Sequence, residues 1–293
     1  MRVALAGGTG FTGRRVASRL AARGETLRCL VRARSDRSAL PSSADTVVGD
    51  LADGGAVATW LAGCEALVYC ASLGFGHVAG VVEGAERAGV RRAVFVSTTA
   101  IFTRLPAQSK AVRLAAEASV RASRLAWTIV RPTMIYGAPG DRNMERLLRA
   151  LVRWPLLVVP GDGRALIQPV HVGDVADAIV ATLGADTAVG NAYDLSGREP
   201  LSFDAAVDAA ARAVRRRGRR LHLPLGSVAT ALRLVEKAGL PFPVRSEQVA
   251  RIAEDKAFAH DHAAKDLGFA PRSFEDGITE EGRLLGLVPD GRP

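Results

Sequence analysis

Cysteine, aromatic side chains and negative charge are all scarce in this chain, and no long apolar run interrupts it. The 293 residues hold 3 Cys, 3 Trp, 3 Tyr and 9 Phe. Cys29, Cys64 and Cys70 fall on or beside apolar, strand-like runs and lack metal-ligand spacing. That excludes a disulfide scaffold and a zinc site, and reads as small core residues in a reducing compartment. Nowhere does an apolar stretch approach the roughly 20 residues that a bilayer-spanning helix needs. Met1 runs straight into the first strand-like segment, so the expectation is a cytoplasmic protein with neither leader nor transmembrane segment.

Acidic residues number 30 against 39 Lys+Arg, leaving a net charge of +9. Arg91-Arg92 and Arg215-Arg216-Arg217 stand beside predicted helix ends, where cations are favourable. The basic run Arg215 to Arg220 carries no interleaved aromatic residue, which argues against nucleic acid and for a basic surface that attracts phosphate-bearing small molecules. With 48% hydrophobic residues the chain can bury a sizeable core, as one large unit or two packed ones.

What the chain does have is a glycine turn at the start. Val3-Ala4-Leu5-Ala6 runs into Gly7-Gly8-Thr9-Gly10-Phe11-Thr12-Gly13, and Val16, Leu20 and Ala21 continue a helical stripe that closes at Gly24. Strand, three glycines at three-residue spacing, then helix is the pattern of a mononucleotide-binding turn. Gly7 suits a tight turn, Gly10 close approach to a pyrophosphate and Gly13 close helix packing, with the anion on the helix N-terminus. Thr9, Phe11 and Thr12 complete that turn.

Strand two, Thr26 to Val31, ends at Arg32, followed by Arg34 and Arg37, with no acid before Asp36. An acid there would serve the ribose 2′-hydroxyl of NAD, whereas arginine suits a 2′-phosphate, so NADP is expected over NAD. Strand three precedes Gly49-Asp50-Leu51, where Asp50 can accept from an adenine amino group or cap the next turn. Strand four, Ala66 to Cys70, ends at Ala71-Ser72, small enough for a dinucleotide to approach. Strand five, Ala93 to Val96, ends in Ser97-Thr98-Thr99; a helix around Ala107 to Ser123 leads to strand six, Trp127 to Val130, and then Arg131-Pro132-Thr133. Six strands alternating with helices predict an α/β, Rossmann-type doubly wound parallel sheet over 1–140.

Residues 141–293 read as a smaller, mostly helical substrate-binding region, with about 165–195 returning to the sheet. Helices are expected over Met144 to Arg153, Asp174 to Leu183, Val228 to Lys237, Ser246 to Phe258 and Phe274 to Leu285, and a strand over Ala192 to Leu195. His260 and His262 flank Asp261 without further ligands and read as exposed, and Tyr193 reads as core.

In combination, the glycine turn, Gly49-Asp50-Leu51, Val96-Ser97-Thr98-Thr99, Lys110, Arg131-Pro132, His171-Val172-Gly173-Asp174-Val175-Ala176 and Leu267-Gly268-Phe269-Ala270-Pro271 resemble the extended and atypical branches of the short-chain dehydrogenase/reductase superfamily, with its epimerase/dehydratase-like and NmrA-like NAD(P)-binding members. The resemblance implies an NAD(P)-dependent oxidoreductase or epimerase-like enzyme acting on a small polar or nucleotide-sugar substrate. It implies that Thr99 is the hydroxyl partner and that Lys110 holds the nicotinamide ribose. The superfamily's tyrosine, four residues before that lysine, is here Pro106. Tyr136, after strand six, is the first substitute; His171 and His77 are weaker ones. Ser72, Ser97, Pro132 and Thr133 stand at strand ends where the superfamily meets its cofactor. Arg164, Arg245 or Arg251 would meet the phosphates of a nucleotide sugar. The alternative is a non-catalytic NADP(H)-binding regulator or accessory subunit. A homodimer is also among the superfamily's habits.

Overall fold

The computed structural model describes residues 1–105, 107–237 and 254–288. Its contacts divide into two compact units: residues 1–133, 172–195 and 259–270 form the first, and 134–171, 196–258 and 271–293 the second.

The first unit is a seven-stranded, wholly parallel sheet. Strands are β1 (Arg2–Ala6), β2 (Thr26–Val31), β3 (Asp45–Val48), β4 (Ala66–Tyr69), β5 (Arg92–Val96), β6 (Ala126–Pro132) and, returning from later in the chain, β11 (Asn191–Leu195). Their order is β11-β6-β5-β4-β1-β2-β3, so the winding reverses between β1 and β4. Val3, Ala4, Leu5 and Ala6, like Ala66 to Tyr69, are buried along their whole length. Helices on both faces demand that of a parallel sheet, and the near-continuous apolar runs follow from it.

Between the strands lie α1 (Gly13–Ala22), α2 (Gly54–Leu61), α3 (Val78–Arg87) and α4 (Gln108–Arg121). Helix α1 packs against α6 (Val172–Gly184) and is tied to it by the Arg19–Asp177 ion pair. Asp53 caps α2, accepting from the Gly55 and Ala56 amides at 2.9 and 3.2 Å. Helix α9 (Asp261–Leu267) contacts β11, and there Tyr193 donates to Asp266 at 2.9 Å. Tyr193 is core, as expected; the His262 ring lies 4.7 Å from it and pairs with Asp266 at 3.0 Å.

The second unit is less helical than its sequence suggests. Alongside α5 (Met144–Arg153), α7 (Phe203–Ala213), α8 (Leu225–Lys237) and α10 (Phe274–Leu284) it carries three two-stranded sheets. These pair β7 (Ile135–Tyr136) with β10 (Val170–His171), β8 (Leu157–Pro160) with β13 (Arg220–Leu223), and β9 (Leu166–Ile167) with β12 (Leu201–Ser202). Its core gathers Met144, Leu148, Leu151, Ala206, Val207, Ala210, Phe274 and Ile278. Of the helix expected over Ser246 to Phe258, residues 246–253 lie outside the described residues, as do Arg245 and Arg251, while residues 254–258 are described and are not helical.

Candidate functional site

A cleft of about 440 Å³ opens at the carboxyl ends of β1, β2, β3 and β4, where the strand order reverses. In open α/β sheets this is where ligands bind, because the flanking loops part there. Its walls hold Ala6 at the end of β1 with Gly7, Thr9 and Gly10 after it, Leu30 near the end of β2 with Arg32 and Ser35 after it, Gly49, Asp50 and Leu51 after β3, and Cys70, Ala71, Phe75 and His77 after β4. Of the residues expected from sequence to meet a cofactor, Gly7, Thr9, Gly10, Arg32, Asp50, Leu51 and Ala71 line this cleft.

The glycine turn owes its shape to steric demands. Gly7 has φ +73°, and a Cβ there would stand 2.8 Å from the Ala71 amide nitrogen, so the turn lies flush against the end of β4. A Cβ on Gly13 would come within 2.0 Å of the Gly7 carbonyl oxygen, which fixes how closely α1 approaches the turn. Gly10 is exposed, and its amide donates to the Gly7 carbonyl at 2.9 Å. Thr12 stands at the head of α1 without a side-chain cap, and the helix has no acid in its first turn. The positive end of that helix is therefore left for an anion. Arg15 folds back on the turn, donating to the Phe11 carbonyl at 2.6 Å with its guanidinium 4.6 Å from the Phe11 ring.

Arg32 is exposed immediately after β2; its amide donates to the Ser35 hydroxyl at 3.2 Å, and its carbonyl accepts from the Ser35 amide at 2.9 Å. Asp50, also exposed, accepts from the Ala52 amide at 2.9 Å, the local turn-capping role weighed for it. Ser72 caps a short 3₁₀ turn, Leu73–Phe75, through the Gly74 amide at 3.2 Å. Leu30, Ser35 and Phe75 carry no expectation from the sequence, and Cys70, expected as a small core residue, stands on the cleft wall as well; Leu30 is the next-to-last residue of β2, and the other three lie one to six residues past a strand end.

The second group of expected residues clusters at the carboxyl ends of β5 and β6. The Ser97 amide donates to Val130 at 2.8 Å, the Thr133 amide to Leu195 at 3.0 Å, and the buried Thr99 hydroxyl lies 3.5 Å from the Pro132 carbonyl. Thr98 caps the 3₁₀ turn Thr99–Phe102, accepting from Ala100 at 3.2 Å. Lys110, in the first turn of α4, donates to the Thr103 carbonyl at 2.6 Å and so ties the helix to the turn that carries Thr99. Below this edge Arg131 meets Glu117 of α4 at 2.9 and 2.5 Å and Asp194 of β11 at 3.6 Å. Burial pushes the Glu117 carboxyl up, but the hydrogen bonds from Arg131 and Ser97 and the charges of Arg131 and Arg121 outweigh it and hold it below the usual carboxylate range.

Tyr136 is not presented as an acid. It is buried in the second unit, its hydroxyl 3.4 Å from the Phe274 carbonyl and its ring 5.2 Å from Phe274 and 5.5 Å from His171. Helix α10 passes so close that a Cβ on Gly277 would lie 2.2 Å from the Tyr136 hydroxyl. The proton-donor expectation is corrected on that ground: the phenol is a packing element. His171 is likewise structural, buried with Nε2 3.1 Å from the Gly137 carbonyl and its ring filling the space a Gly137 side chain would need. Tyr69 and Tyr193, the remaining tyrosines, are buried in the sheet; burial pushes the Tyr69 phenol up to about 12. Pro106 lies outside the described residues.

A seven-stranded parallel sheet with a glycine turn at its switch point defines a dinucleotide-binding α/β protein. The chain belongs to the NAD(P)H-binding family, whose profile matches residues 7–186, and its fold is that of the short-chain dehydrogenase/reductase-like epimerases and dehydratases. It is 31% identical to ceramide reductase of Caulobacter vibrioides over 248 residues, 80% of this chain and 77% of that one. It is 28% identical to NADH dehydrogenase [ubiquinone] 1 alpha subcomplex subunit 9 of Arabidopsis thaliana over 207 residues, 70% of this chain; it spans about half, 48%, of that relative's length. Among solved structures, UDP-glucose 4-epimerase of Thermotoga maritima superposes with a TM-score of 0.77 at 14% identity, covering 98% of this chain and 99% of the other, a likeness of fold. No helix of the described residues is long and apolar enough to cross a membrane.

Proposed function

We propose that the protein is an NADP(H)-dependent oxidoreductase that reduces a carbonyl group on a substrate with an apolar body. The observation that carries the cofactor is the switch-point cleft, with an uncapped helix terminus at one wall and Arg32 at another. Gly7 to Gly13 would receive the pyrophosphate on backbone amides, Arg32 and Ser35 the phosphorylated ribose, and Asp50 and Leu51 the adenine. Lys110 would hold the far ribose after releasing Thr103, while the Thr99 hydroxyl orients the reacting oxygen, with Ser97, Pro132 and Thr133 shaping the floor. The bound nicotinamide supplies a hydride. The matching proton comes from water or a substrate hydroxyl, since the phenol of the superfamily is replaced by Pro106.

Exposed Phe75 on the cleft wall, exposed Phe102 under the Arg131 guanidinium and exposed Leu114 on α4 support an apolar substrate body, as does the similarity to a ceramide reductase. The nucleotide-sugar expectation draws on the epimerase fold alone, and Arg164, its one described phosphate partner, is an exposed residue of the second unit.

A second reading has its own support. Pro106 removes the usual proton donor, and one relative is a subunit of NADH dehydrogenase, so a non-catalytic NADP(H)-binding accessory or regulatory role follows if chemistry is absent. Loss of NADPH absorbance in the presence of long-chain ketones, aromatic ketones, quinones and nucleotide sugars separates the readings. Turnover of apolar ketones that falls by about 10²-fold or more in Thr99→Ala supports the enzyme. Tight NADPH binding with no turnover across the panel supports the accessory role.

A further inference from the structure

The second unit carries exposed apolar side chains and arginines that, among the described residues, have no acidic partner. Val158 of β8 and Leu221 of β13 are register partners in a parallel pair, so their side chains stand side by side on one face of that small sheet. Both are open, at 58% and 49% exposure, and the segment leading from α5 into β8 adds two further exposed apolar residues to this apolar strip of sequence, Leu156 (47%) and Trp154 (59%). Scattered apolar residues are ordinary on a surface; four large exposed ones gathered on one two-stranded sheet and the segment leading into it, a tryptophan among them, are not.

The border of the strip is basic. Arg153 lies with its guanidinium 5.3 Å from the Trp154 ring. Arg215, Arg216, Arg217 and Arg219 lead into β13, all exposed, and among the described residues no carboxylate pairs with any of them. By contrast Arg220, facing the other way, is held by Asp204 and Asp208 at 3.3 and 2.7 Å. Arg215 adopts φ +52°, the left-handed conformation at a helix end that favours glycine.

We propose that this face docks on the surface of an anionic phospholipid bilayer, with Trp154, Leu156, Val158 and Leu221 entering the headgroup region and Arg153, Arg215, Arg216, Arg217 and Arg219 meeting lipid phosphates. Tryptophan and branched aliphatic side chains with a cationic border match an interface that is apolar below and negative above. A second copy of the chain fits worse, because a two-fold contact brings unpaired arginines of both copies together. Nucleic acid fits worse too, since the strip offers one aromatic ring and three aliphatic side chains where stacked bases need several rings.

The test mixes the full chain with phosphatidylcholine vesicles containing phosphatidylglycerol and with pure phosphatidylcholine vesicles, and reads sedimentation and tryptophan emission. Expected are sedimentation with the anionic vesicles only, a loss of binding at high salt, and a blue shift that disappears in Trp154→Phe. Arg216→Glu/Arg217→Glu and Val158→Ser/Leu221→Ser should each weaken partitioning by about tenfold or more, with far-ultraviolet circular dichroism and NADPH binding unchanged. The proposal is overturned by absent sedimentation, by equal binding to neutral vesicles, by variants that bind as the parent does, by dimerisation that the Val158→Ser/Leu221→Ser variant abolishes, or by an oligonucleotide that outcompetes the vesicles.

Discussion

Arg131 grips Glu117 at two points, Nε to Oε1 at 2.9 Å and Nη2 to Oε2 at 2.5 Å, joining α4 to β6 beneath the edge where Ser97, Thr99 and Pro132 lie. The pair is nearly sealed from solvent, and Asp194 completes it at 3.6 Å. Removing one member leaves the other charge buried and only partly compensated. Glu117→Ala should therefore cost about 3 kcal/mol in urea unfolding; a cost below about 1 kcal/mol would show the pair to be incidental. Because the Glu117 carboxyl is held below its ordinary range, the pair's contribution is present at neutral pH and is lost as the solution is acidified through the carboxylate range.

In the second unit the opposite sign applies. Glu281 is buried against Gly137 and faces Asp141; burial first, then the Asp141 charge, push its carboxyl up to about 8 against a hydrogen bond from the Gly137 amide. The folded chain then holds a proton that the unfolded chain has released. Stability falls as pH rises from the ordinary glutamate value toward 8, at about 1.4 kcal/mol per pH unit for one proton. Glu281→Gln should flatten that slope in thermal melts between pH 5 and 8. An unchanged slope would contradict the assignment.

Gly13 tests the turn. A methyl group there meets the Gly7 carbonyl at 2.0 Å, so Gly13→Ala must push α1 off the turn. The expected result is loss of NADPH binding by calorimetry with the helical content of the protein retained. Wild-type affinity in that variant would show that the turn does not hold the nucleotide.

The proposed preference for NADP over NAD is assigned to Arg32. Arg32→Ala should weaken NADP⁺ about tenfold or more, the size of a hydrogen bond to a charged group, and leave NAD⁺ affinity nearly unchanged. Equal losses for both dinucleotides would remove the preference.

The glycine turn, the parallel strands and the strand expected over Ala192 to Leu195 are legible because each is written in local pattern: buried apolar runs, helix stripes and glycines where a side chain would collide; the return expected over about 165–195 begins only at Val172. The small sheets of the second unit were not. Strands of two residues such as Ile135–Tyr136 carry no period, and their partners lie tens of residues away. Helix α7 has readable signals of its own, with Ser202 capping it at Ala205 and Ala206, Val207, Ala210 and Ala213 on its buried side. Tyr136 illustrates a different limit: its position after a strand suggested a ligand edge, while packing by Phe274 and Gly277, more than a hundred residues away, decides its role. Glu281 had a readable signal, since it falls on the apolar stripe Phe274-Ile278-Glu281 of α10 at helical spacing.

The cleft at the β1/β4 switch point is proposed to bind a phosphorylated pyridine dinucleotide. Isothermal titration of the full chain with NADPH, NADP⁺ and NAD⁺ measures this directly. Expected are one site per chain, about micromolar affinity or better for NADPH, and weaker binding of NAD⁺. No heat from any of the three at millimolar concentration, in protein with native circular dichroism, would contradict it.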